Sequence, residues 1–186
     1  DLVVAQGHEG GGHTGRVGTM ALLPQAIDAA SPVPVLAAGG IGDGRGVAAA
    51  LAMGCIGVWV GTRFLASNEG GALDIQKKTI LKATDEDTRR TYIYTGKTSR
   101  AIYNKFHDLW DTSKLEPLPF PMQVLLASAI VEMFNRAGME EYVGPFSGQV
   151  AGLIKEIKPA AEVLNDMVEE AVHVLTRKIP ESVIVK

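Results

Sequence analysis

The chemistry of this chain starts with one imidazole in small-residue backbone. His13 stands in the run DLVVAQGHEGGGHTGR, between Gly12 and Gly15 and downstream of an apolar stretch that ends in glycine. A ring held at the end of a strand, where little packs around it, is suited to exchanging protons near neutral pH. Two further turns, Gly39-Gly40 and Gly61-Thr62, carry a different chemistry. Backbone N–H groups of a glycine-rich turn that runs into a helix converge on an anion, and the Thr62 hydroxyl adds a donor. Glycines also end strands for steric reasons alone, so neither turn by itself says much. Their tandem occurrence on successive strands predicts one phosphate gripped by both. Arg63, beside the second turn, is either a phosphate partner or an ordinary surface ion-pair residue.

Other chemistries are set aside by spacing. Gly42, Gly44 and Gly46 do not fit the GxGxxG dinucleotide fingerprint, and Gly96-Lys97-Thr98 lacks the first glycine of a P-loop, since Thr91 holds that place. His8, Glu9 and His13 make no convincing metal site on tandem glycines, so no metal is expected. A single cysteine, Cys55, excludes an internal disulfide and a cysteine-based cluster, and its position before a strand marks it as inert core. His8 belongs to an exposed loop, and His107 and His173 receive no role. Among the aromatics, expected in core or lid positions, Trp59 is the exception to watch because it ends a strand beside the second turn.

These residues need elements to hold them. Leu2 to Gln6, Val35 to Ala38 and Ile56 to Val60 are near-continuous apolar strands, each ending in glycine, which predicts a parallel sheet covered on both faces. Between them the spacing predicts a helix over Met20 to Ala30, capped by Thr19 with Pro24 near its first turn. A second helix is predicted over Arg45 to Met53, capped by Asp43 and closed by Gly54. From Ser67 to Tyr142 the pattern turns charged and poorly periodic, with Asp85 to Arg90 as a solvated helix face, and predicts an inserted helical or irregular subdomain. Pro159 starts a last helix whose apolar face runs through Ala161, Leu164, Met167/Val168, Ala171/Val172 and Leu175 and packs back on the sheet. The organisation expected is therefore residues 1–66 as βα units, 67–147 as the insertion, and 148–186 as the final helix and tail.

Composition narrows the partners. With 186 residues, 46% of them hydrophobic, and a net charge of -3, the chain suits a globular fold and offers no electrostatic reason to bind nucleic acid or an anionic membrane. Its apolar runs are too short or too interrupted to span a bilayer, so a cytoplasmic address is expected. The chain opens inside a strand without an initiator Met, as a fragment of a longer protein would.

The segments AQGHEGGGHTG, LLPQAIDA, PVLAAGGIGDGRGVAAALAMG and GVWVGTRFLAS, with GQVAGLI later in the chain, resemble the nitronate monooxygenase family, formerly called 2-nitropropane dioxygenases. The resemblance implies an α/β fold, the C-terminal part of a TIM (β/α)8 barrel comprising strands six to eight, with a small inserted subdomain. It implies FMN as cofactor and His13 as the catalytic histidine. Gln6, Gly11 and Gly12 would lie near the flavin, and Gly39, Gly40, Trp59, Val60, Gly61 and Thr62 would hold its phosphate end. Gly10 departs from the family's usual alanine, and Cys55 also stands where alanine is common. The reaction implied is oxidation of alkyl nitronates or nitroalkanes by O2 to a carbonyl compound and nitrite, in a possible homodimer. NADH-dependent flavin enoyl-acyl-carrier-protein reductases and NADH:quinone reductases share the GGH and AAGGI motifs and are the enzymatic alternatives. A non-enzymatic half-barrel is the third.

Overall fold

A computed structural model describes residues 1–183; residues 184–186, the end of the expected tail, lie outside the described part. Strand β1 (Val3–Gln6) leads through the two-residue β2 (Gly12–His13) into α1 (Thr19–Ala30). Then follow β3 (Val35–Ala38), α2 (Gly44–Ala52), β4 (Gly57–Trp59) and the short α3 (Thr62–Leu65). Strands β1, β3 and β4 form a parallel sheet in that order. Its register aligns Ala5 with Ala37 and Ala37 with Val58 in one row, and Gln6 with Ala38 and Ala38 with Trp59 in the next. Because side chains alternate along a strand, these rows face opposite sides.

The first row is buried with Leu23, Ala50, Val163 and Met167 in the core beneath the helices. The second row is covered only in part: Ala38 is buried. Trp59 is 59% exposed and Val4 is exposed too, so the expectation of a sheet covered on both faces is corrected: among the described residues, helices cover one face.

Loop contacts fix the helix ends. Asp43 caps α2 as expected, accepting from the N–H groups of Arg45 at 3.0 Å and Gly46 at 3.2 Å. Thr19 is not a cap but the first residue of α1; the cap comes from the preceding loop, where the Glu9 carboxylate takes the Thr19 N–H at 3.0 and 2.9 Å and its hydroxyl at 2.9 Å. A carboxylate at that end also suits the helix dipole. Pro24 sits in the second turn of α1 rather than the first.

The insertion contains helices α4 (Asp74–Lys82), α5 (Lys105–Ser113) and α6 (Met122–Arg136), and also strands β5 (Thr88–Thr91) and β6 (Ser99–Ile102). The reading of Asp85 to Arg90 as a helix face is thereby corrected. Asp87 accepts from the N–H and hydroxyl of Thr84 at 2.8 and 2.9 Å, a turn that delivers Arg89 and Arg90 to a strand. Strand β2 joins β6 and β5 in an antiparallel sheet, with Gly12 opposite Arg100 and His13 opposite Ser99. The loop that carries His13 is therefore hydrogen-bonded to the insertion.

After Pro159 the chain forms α7 (Ala160–His173), followed by a wider helical turn at Val174–Lys178 and α8 (Ile179–Ser182). Val163, Met167 and Ala171 are its buried residues, while Leu164, Val168 and Val172 are exposed. Of the predicted apolar face, Met167 and Ala171 are buried as expected, while Val163 takes the place of Leu164 where α7 packs on the alanine-rich α2.

Candidate active site

On the exposed face of the parallel sheet, at the strands' C-terminal ends, lies a cleft of about 280 Å³. Its wall includes Gln6, Gly11, Gly12, Gly39, Gly40, Trp59, Gly61 and Thr62. The two glycine turns singled out from the sequence thus border one space. Val60 does not line it. On alternation from Trp59 its side chain falls on the helix side and packs against the core, so its expected place at the phosphate end is corrected.

Backbone shape explains the glycines at the first turn. Gly39 and Gly40 have φ of +84° and +74°, and a Cβ on Gly39 would stand 2.8 Å from the Gly7 carbonyl oxygen. Only glycine takes this bend without strain. At the second turn a Cβ on Gly61 would meet nothing within 4 Å, so this backbone borders open space. Among the described residues the N–H groups of Gly40 and Gly61 have no acceptor.

The helix α2 N-terminus, expected to share the anion, is closed. Asp43 occupies two of its donors and Glu170 accepts from the Gly44 N–H at 2.8 Å. What remains for an anion is the pair of turns themselves. Thr62 is buried, and its hydroxyl accepts from the Gly148 N–H at 2.9 Å, which leaves the hydroxyl proton free. Arg63 turns away from the cleft and donates to the Glu156 carbonyl at 3.0 Å, with burial pulling its pKa down. Of its two readings, the phosphate-partner one is not met.

His13 stands at the rim. It is exposed, and its neighbour Gly12 lines the cleft while its own ring reaches toward the insertion. Nε2 lies 2.9 Å from the Thr95 hydroxyl, and Phe120 meets the ring edge-on with centroids 5.9 Å apart. Thr95 Oγ1 donates to the Lys97 carbonyl at 3.0 Å and accepts from the Lys97 N–H. With its one proton so engaged, the hydroxyl accepts from Nε2–H, and Nδ1 keeps the lone pair. Gln6 Nε2 donates to the His13 carbonyl at 2.9 Å, tying the loop back to β1.

The other histidines separate. His8 pairs with Glu9 at 3.1 Å, and among the described residues no three His, Cys, Asp or Glu side chains gather as a metal site would need. His107 is buried in the insertion. Cys55 is buried, and burial pushes its thiol pKa up. Sequence reasoning gave no site role to Leu65, Phe146, Gly148 and Val150, which together with Gly10, Ala38 and Ile41 complete the cleft wall. Gly144-Pro145 and Gly148 are residues that favour a loop, but nothing in their spacing says which cavity such a loop covers.

Comparisons with known proteins converge. The family model for nitronate monooxygenase matches residues 1–170. A Mycobacterium tuberculosis protein carrying a monooxygenase name is 44% identical over 177 residues, covering 91% of this chain and 47% of the relative. A Bacillus subtilis protein named "probable nitronate monooxygenase" is 38% identical over 184 residues, covering 94% of this chain and 52% of the relative. Among solved structures, a nitroalkane oxidase from Streptomyces ansochromogenes superposes with a TM-score of 0.85 at 32% identity, over 95% of this chain and 53% of that one. FabK from Thermotoga maritima gives 0.81 at 36% identity, over 98% and 58%. The chain spans about half the length of the curated relatives it matches.

Proposed function

Because the chain belongs to the nitronate monooxygenase family, we propose that it forms the phosphate-gripping and proton-handling part of an FMN enzyme that oxidises alkyl nitronates with O2 to a carbonyl compound and nitrite. Its three parallel strands would be the sixth to eighth of a (β/α)8 barrel. The observation that carries the reading is the single cleft bordered by both glycine turns, with the His13 loop on its rim.

The residues fit the cofactor. Two turns with unpartnered N–H groups and a threonine proton to spare suit a phosphate, and the bend at Gly39 leaves no room for a side chain. Gly39, Gly40, Trp59, Gly61 and Thr62 would hold that end, and Gln6, Gly11 and Gly12 would lie near the ring system. When bound, FMN would supply the electron transfer between substrate and O2.

The chain's own part is protonic and positional. Thr95 fixes the His13 tautomer, so Nδ1 is the atom that takes the α-proton of a neutral nitroalkane. A nitronate arrives already deprotonated, and there the ring orients it and balances its charge. Gln6 keeps the loop from drifting off the strand end, and Phe120 shields one side of the ring from water.

The test is the protein in the longest natural form that contains this chain, loaded with FMN and offered propionate 3-nitronate without NADH. Oxygen uptake with nitrite release is expected. Rapid NADH oxidation driven by a crotonyl thioester, with no nitronate turnover, would instead establish the reductase reading that the likeness to FabK keeps open.

A further inference from the structure

Beside the cleft lies a second and larger cavity, of about 570 Å³, within the insertion between α4, α6 and the stretch 144–146. It shares Leu65 and Phe146 with the cleft. It also reaches Thr95, whose hydroxyl meets His13 at 2.9 Å. His13 itself lines neither space, but its neighbour Gly12 lines the cleft and its hydrogen-bond partner Thr95 lines the cavity.

The cavity wall is hydrocarbon where it faces inward: Ala72, Val124, Ala127, Val131, Pro145 and Phe146. Its polar side chains are engaged only in part: among the described residues the Tyr94 hydroxyl proton and the amide nitrogens of Gln76 and Asn135 have no protein acceptor. Gln76 Oε1 accepts from the Leu73 N–H at 3.1 Å, Ser128 Oγ donates to the Leu125 carbonyl at 3.3 Å, and the Tyr94 hydroxyl accepts from Asn104 at 2.9 Å. Glu132 is held by Arg136 at 2.8 Å. The Asn135 side-chain oxygen lacks a partner and is out of solvent contact. A volume in the range of ligand sites, lined this way, gains most from an apolar occupant.

We propose that this cavity takes the saturated hydrocarbon tail of the substrate, whose reactive head sits at His13, so that longer unbranched substrates bind more tightly than short ones. The placement of the head rests on the function proposed above; the tail site rests on the cavity alone. No charged group on its wall is free to recognise a second anion, which sets this site apart from the phosphate turns.

Isothermal titration of the FMN-loaded protein with unbranched carboxylates from propionate to dodecanoate, unreactive planar anions shaped like a nitronate head, measures the tail directly. Affinity should rise about threefold to fourfold for each methylene buried, then level off once the cavity is filled. Ala127→Phe should flatten the series by removing the gain of the longer acids. Should that variant fail to fold, a decanoate bearing a diazirine at its last carbon labels the wild-type protein, and mass spectrometry should find the label on α4 or α6. A flat series, or labelling outside the insertion, overturns the tail site even where propionate 3-nitronate is turned over. A rising series with the label on α6 and no nitronate turnover upholds the tail site and overturns the reaction proposed for the head.

Discussion

His13 differs from the other histidines in what its ring touches. His8 leans on a carboxylate and His107 is walled in by Tyr94 and Tyr103, whereas His13 has a hydroxyl on one nitrogen and open surroundings on the other side. If His13 is the base of the proposed reaction, this contact makes Thr95 its positioning residue. Thr95→Val should lower turnover of neutral nitroalkanes by about tenfold, a part of what a positioned general base supplies, and reduce nitronate turnover much less. Thr95→Ser should restore it. Steady-state rates on both substrate forms across pH check this; equal losses on both forms, or no rescue by serine, would count against the tautomer argument. His13 and the turns at Gly39 and Gly61 were legible in the sequence because glycine around one ionisable ring is a local pattern. Thr95 was not: it stands 82 residues from His13, and only the pairing of β2 with β6 brings the two together.

At the scale of elements, helix ends decide what chemistry is left over. The α2 N-terminus looked like an anion site until Asp43 and Glu170 were seen to fill it, and the neutralised dipole leaves recognition to the turns. Helix α5 carries a different burden. Asn104 caps it by accepting from the Phe106 N–H at 2.9 Å, while His107 Nδ1 accepts in return from the Asn104 N–H at 3.3 Å. Burial, with help from the nearby Arg89 charge, pushes the His107 pKa down from 6.5 to about 4. The folded state therefore binds fewer protons than the unfolded one between those values, and stability is full above about pH 6.5 and falls as pH drops toward 4. The shift corresponds to roughly 3 kcal/mol. Urea unfolding at a series of pH values should show this slope in the wild type and a flatter one in His107→Gln; identical slopes would mean the imidazole is solvated.

For the molecule as a whole, the free surfaces matter most. Val4 and Trp59 are exposed on one face of the parallel sheet, and Leu164, Val168 and Val172 form an exposed apolar stripe along α7. Both β1 and β4 are edge strands. Apolar patches and unpaired edges of this kind drive association in water. The 186-residue chain expressed by itself should accordingly self-associate and hold FMN weakly, as sedimentation velocity and flavin absorbance after gel filtration would show. A monodisperse monomer that keeps the flavin would mean that these surfaces are less sticky, and the cleft more complete, than their exposure indicates. Among the described residues no helix is long and apolar enough to cross a membrane.

The sequence by itself determined the parallel βα order, the cap at Asp43, the glycine turns and the ring at His13, because each is written in residues a few positions apart: apolar runs of strand length, a carboxylate before a helix, glycine where φ must be positive. Only the tertiary structure decided that the α2 terminus is closed, that Arg63 faces Glu156, that the insertion contains a sheet, and that Phe146 and Thr95 come to the site. Those outcomes depend on contacts between residues tens of positions apart, and the strand pairings and buried faces that bring them together leave no local periodicity by which to find them.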